Sequence, residues 1–80
     1  MIFDISRVSN DDKDLLNSAL KAELLVALVV VMESNQFGVW AVVNNITAAK
    51  KLKATLPASE DFIIIHARDG MWRQYAGDFS

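Results

Sequence analysis

The stretch Phe62-Ile-Ile-Ile-His-Ala-Arg-Asp-Gly-Met-Trp-Arg-Gln-Tyr75 constrains the fold most, because it specifies a β-hairpin together with its register. Asp69-Gly70 suits a two-residue type I′ turn, in which both central residues take positive φ and the turn twist matches that of the flanking strands. Arg68 then faces Met71, Ala67 faces Trp72, His66 faces Arg73, Ile65 faces Gln74 and Ile64 faces Tyr75. Alternation sorts the side chains onto two faces. Ile63, Ile65, Ala67, Trp72, Gln74 and Ala76 form one, which reads as a core face. Phe62, Ile64, His66, Arg68, Met71, Arg73 and Tyr75 form the other, an apolar base running into a cationic end. This second face is the candidate partner-binding surface.

Eighty residues make a single domain. A chain of this length buries only about 60–65% of the surface its unfolded form exposes. Yet 52% of its residues are hydrophobic, so apolar surface either stays exposed or is covered by a partner, for which a homodimer is the simplest solution. The absence of cysteine removes disulfides, Cys-ligated zinc, iron–sulfur clusters and thiol catalysis. With a net charge of −2, nucleic-acid binding is disfavoured. The N-terminal residues lack the basic and long apolar regions of a signal peptide, and the apolar run Leu24–Met32 is about half the length that crosses a bilayer. These features predict a cytoplasmic protein that does not engage membranes.

Ser9-Asn-Asp-Asp12 reads as a helix start, with a cap followed by acids in the electropositive first turn. Leu15, Leu16, Ala19 and Leu20 follow at helical spacing. Continuing that helix would put Glu23 in the apolar stripe, so the helix is expected to end near Ala22 or Glu23. A single helix from Asn10 to Glu33 is the competing reading. The β-branched residues of Leu25–Met32 favour a strand, apolar on both faces and so covered on both. Ser34–Gly38 reads as a turn and Val39–Val43 as the returning strand. Asn44-Asn45 caps a second helix, Ile46 to about Leu56, with Ile46, Ala49, Leu52 and Leu56 buried and Pro57 as terminator. Gly77–Ser80 reads as a loose tail.

The expected architecture is therefore α+β: a two-layer fold whose mostly antiparallel sheet carries two helices, in the order αββαββ. Ile2–Ile5 would supply a fifth, edge strand and a ferredoxin-like arrangement. With both helices on one sheet face, the other face would be left open as an apolar patch.

Motifs that carry chemistry are scarce. His66, the only histidine, sits opposite the cation Arg73 and reads as a strand residue; catalysis would require an orienting partner and a pocket. No second histidine or cysteine stands at ligand spacing, so neither a metal nor a cofactor is expected. Asp11, Asp12 and Asp14 lack the alternating ligands, glycine and terminal glutamate of a calcium loop, and serve as helix-start acids. The serines lack a nucleophile elbow, and Gly38, Gly70 and Gly77 are too far apart to cradle phosphate. Lys50, Lys51 and Lys53 lie on a helix away from Arg68, Arg73 and Trp72, so no nucleic-acid surface converges. Asn45-Ile-Thr47 has the form of a glycosylation sequon but reads as a helix cap.

The expectation that follows is a small non-catalytic interaction module. It would self-associate, as a homodimer, or dock on a protein partner through the apolar sheet face. Its size and lack of motifs suit an accessory or inhibitor protein of a phage or other mobile element. The alternatives are a domain binding a small apolar ligand, with the site between sheet and helix or between subunits, and an enzyme using His66.

Overall fold

The computed structural model describes residues 2–23 and 26–75. It is an α+β fold in which two helices pack on a four-stranded antiparallel sheet of order β2-β1-β3-β4. Helix α1 is Asn10–Lys21, β1 is Val26–Val31, β2 is Phe37–Val43, α2 is Ile46–Ala54, β3 is Asp61–Arg68 and β4 is Met71–Gln74.

Local signals set most boundaries. The Ser9 side chain caps α1 by accepting from the Asp12 N–H, and that of Asn45 caps α2 by accepting from the Ala48 N–H at 2.8 Å. Helix α1 stops where expected. The Ala22 N–H donates to the Ser18 carbonyl, and Glu23 turns the chain with φ of 60°, which leaves its side chain exposed to water. A left-handed residue just past a helix end is a common terminator, although glycine fills it with less strain. The helix-then-strand reading of residues 10–33 therefore holds. Asp69 and Gly70 have φ of 54° and 76°, and the hairpin takes the predicted register from Ile65–Gln74 to Arg68–Met71. The Tyr75 N–H extends it by donating to the Ile64 carbonyl at 2.7 Å.

The arrangement of the helices differs from expectation. They cover opposite faces of the sheet, so helix-on-sheet packing occurs twice. Leu16 and Ala19 of α1 pack with Ala27, Val29, Ile65 and Trp72. Ala49 of α2 packs with Val26, Leu28 and Ile64, assisted by Ile46, Leu52 and Leu56. The even and odd positions of β1 enter different cores, which is why this strand is apolar throughout. No sheet face is left wholly open.

A fifth strand does not form at Ile2–Ile5. Ile2 makes one isolated bridge to Arg73, the Phe3 N–H donates to the Trp72 carbonyl at 3.0 Å, and Ile5–Arg7 turns into a 3-10 helix. Asp4 initiates that turn by accepting from the Ser6 hydroxyl at 2.6 Å and from its N–H at 3.1 Å. The segment reaches the opposite sheet edge, where Val8 bridges Phe37 in parallel. This crossing and the two-sided helix packing replace the ferredoxin-like arrangement. The expected tail at 77–80, and position 76 of the predicted core face, lie outside the described residues.

Candidate functional site

The predicted hairpin face is a second core for part of its length. Ile64 has 0% exposure beneath α2, and Phe62 and Tyr75 pack around that same cluster. Ile64 is thus corrected from a partner-binding residue to a core residue, because α2 covers the face that was expected to be open. His66 is half-buried, with its ring edge-on to Tyr75 at 5.8 Å between centroids. Lys50 sits above the other aromatic partner, with its Nζ 5.6 Å from the Tyr75 ring centre. His66 and Tyr75 help line a hollow of about 300 Å³ with Val26, Asn45, Ile46 and Ala67. Arg73 faces His66 as predicted and approaches Asp69 at 3.9 Å, an exposed pairing that contributes little. Arg68 and Met71 are exposed near the turn. The seven predicted residues therefore divide between a core, a hollow and a hairpin tip.

A different surface emerges at the other end of the α2 face. The β1–β2 ladder shifts between Leu28–Ala41 and Val29–Val39, leaving Trp40 as the extra residue of a β-bulge. Bulges re-aim side chains at sheet edges. Trp40 stands 56% exposed, and its ring meets that of Phe62 edge-on at 5.9 Å. Helix α2 ends at Ala54, and past it Pro57, Val30, Met32, Glu60, Trp40 and Phe62 enclose a cleft of about 290 Å³. Met32 is also strongly exposed.

Beside the cleft lies an acidic hollow of about 570 Å³, which shares Met32 and Glu60 with it and adds Glu33, Ser34, Ser59 and Asp61. None of Glu33, Glu60 and Asp61 forms an ion pair among the described residues. An indole and a thioether at the centre with carboxylates at the rim resemble the centre-and-rim composition of protein interfaces. Of this cleft, only Phe62 was among the predicted partner-binding residues. Trp40 was missed because Val39–Val43 holds no glycine or proline and reads as an uninterrupted strand, whereas the strand begins at Phe37 and includes Gly38, two residues before the bulge.

Three charged groups outside these surfaces serve the fold. Asp12 does more than favour a helix start: its Oδ2 accepts the Val39 N–H at 3.2 Å and ties α1 to the β2 edge. The Arg7 Nε donates to the Asn35 carbonyl at 3.0 Å, with its guanidinium 4.4 Å from the Phe37 ring centre. The hydrogen bonds from Ser6 hold the Asp4 carboxyl below its ordinary pKa, the side-chain bond more strongly than the backbone one. Among the described residues, no group of three or more His, Asp or Glu is placed to hold a metal ion. No helix there is long and apolar enough to cross a membrane. Compared with protein-family models, curated proteins and solved structures, the chain matches none.

Proposed function

We propose that the protein is a small non-catalytic interaction module whose Trp40 cleft receives an apolar side chain from a protein partner bearing flanking cationic residues. The observation that carries this reading is the exposed indole of Trp40, presented by a bulge and steadied by Phe62. Exposed tryptophan is uncommon on soluble domains and is enriched where binding energy concentrates. Glu33, Glu60 and Asp61 supply the charge preference, since a cationic partner would be steered to them and paired at the rim. A second copy suits the cleft less well. An isologous contact places the same patch on both sides, so six carboxylates would be gathered into one interface. Such a module acts by occupying a partner's surface, which agrees with the accessory or inhibitory role that its size and lack of motifs suggest.

Two short peptides test this reading, one with leucines flanked by lysines and the other with the same leucines flanked by glutamates. Trp40 fluorescence should shift saturably to the blue with the lysine peptide alone. Trp40→Ala should abolish binding while leaving the melting temperature nearly unchanged, and Glu60→Lys should weaken it. Equal response to both peptides, or none, overturns the assignment. A dimer that persists on dilution by light scattering and dissociates in Trp40→Ala would replace the cationic partner with a second copy.

A further inference from the structure

We infer that the cleft between the N-terminal segment, α1 and the β3–β4 turn binds a small, neutral, apolar molecule carrying a carbonyl-type hydrogen-bond acceptor. The site lies on the α1 face, away from Trp40, and stands independently of the proposed protein interface. Its volume is about 240 Å³, room for about eight non-hydrogen atoms at about 30 Å³ per water-sized group, and for slightly more where bonded atoms pack closer than separate waters.

Three observations define the ligand. The walls are chiefly apolar: Phe3, Ile5 and Leu20 line the cleft, together with Ile2, Met71 and Trp72. Asn17 and Gly70 complete the lining, so no charged side chain faces the space. An ion entering it would lose hydration without gaining a counter-charge, which selects a neutral molecule. The third observation is the indole of Trp72. This side chain is only 5% exposed, and its Nε1–H is buried with no hydrogen-bond partner among the described residues. Buried tryptophan usually places that group against an acceptor. An entering carbonyl oxygen would supply one, and the hydrocarbon body would fill the apolar remainder. A few oriented polar groups in an apolar concavity are the general design of small-molecule sites.

Access requires a lining side chain to give way, because Nε1 is closed to water. Ile2 and Met71 are the exposed large apolar members of the wall, and an unbranched methionine repacks readily.

The test uses 2-octanone as the probe and the two indole N–H resonances of the ¹⁵N-labelled protein, assigned with Trp40→Phe. Titration should move the Trp72 resonance saturably downfield as its proton is taken up by the ketone, with the Trp40 resonance unmoved. Trp72→Phe keeps an aromatic ring and removes the donor. It should weaken binding about five- to tenfold, read on the Met71 methyl signal. Met71→Glu faces Arg68 across the hairpin, so the variant should fold while placing a charge in the wall, and it should lose the ketone response. Absence of a saturable Trp72 shift overturns the proposal. So does a proportional shift of both indoles, which marks non-specific partitioning, or an unaltered response in Met71→Glu.

Discussion

The two faces of the sheet are covered by different means. On the α1 face, twelve helical residues and the N-terminal segment together enclose a core of eight buried residues, from Phe3 and Val8 to Ile65 and Trp72. On the other face, among the described residues, the nine residues of α2 enclose four: Val26, Leu28, Ala49 and Ile64. Beyond the end of α2, Trp40, Met32 and Phe62 are left as the walls of a cleft. The α1 face carries the smaller cleft at Trp72, of about 240 Å³ against about 290 Å³. Helix length and one extra segment of chain thus decide which face stabilises the domain and which presents an aromatic surface.

The largest test of this contrast pairs one leucine from each helix. Leu16→Ala empties a site with no exposure and should cost about 3 kcal/mol. That is a large part of the roughly 4–12 kcal/mol expected for a domain of this size. Leu52, only partly buried in the α2 core, should cost about 1 kcal/mol when truncated to alanine. Urea midpoints measure both; equal losses, or a larger one at Leu52, would break the distinction.

An intermediate effect tests how α1 is fastened. Asp12→Ala leaves the partly buried Val39 N–H without its acceptor and should cost about 1 kcal/mol. The same change at exposed Asp11 should stay within about 0.5 kcal/mol. Asp12→Asn retains an acceptor oxygen and should recover most of the loss.

The smallest effect concerns pH and the N-terminal segment. The carboxyl of Asp4 has its pKa lowered in the folded state by the Ser6 hydrogen bonds. Its contribution is therefore present above the ordinary value of 3.8 and is lost as pH falls through the lower folded value. Asp4→Asn should lower the melting temperature slightly near neutral pH and flatten its decline below about pH 4. Parallel acid limbs for variant and wild type would remove Asp4 from the account.

Legibility in the sequence followed the range of each signal. The β3–β4 register was readable because Asp69-Gly70 and a strict alternation lie within fourteen consecutive residues. Ser9 and Asn45 were readable as caps, and Glu23 as a helix end, because each acts on neighbours within one turn. Placing α1 and α2 on opposite faces depends on the docking of distant segments. The doubly apolar β1 indicated that both its faces are covered, without showing which helix covers which. Trp40 escaped because its bulge arises from the pairing of two strands; Val39–Val43 alone reads as an uninterrupted strand. Of the candidate cleft, only Phe62 had been among the predicted partner-binding residues, and Ile64 had been assigned outward because α2 was expected on the other side.

The bridge from Ile2 to Arg73 joins positions near the two ends of the described chain. The hairpins and α2 close through short loops, whereas this clasp must bring together segments separated by nearly the whole sequence, at a greater entropic cost. That cost favours late formation and early fraying of this contact, which hydrogen exchange at the Phe3 N–H would read directly. Because Ile2 and Phe3 also wall the Trp72 cleft, fraying there would open that cleft. A molecule seated against Trp72 would act as a latch, slowing hydrogen exchange at Phe3 and keeping the ends of the fold joined.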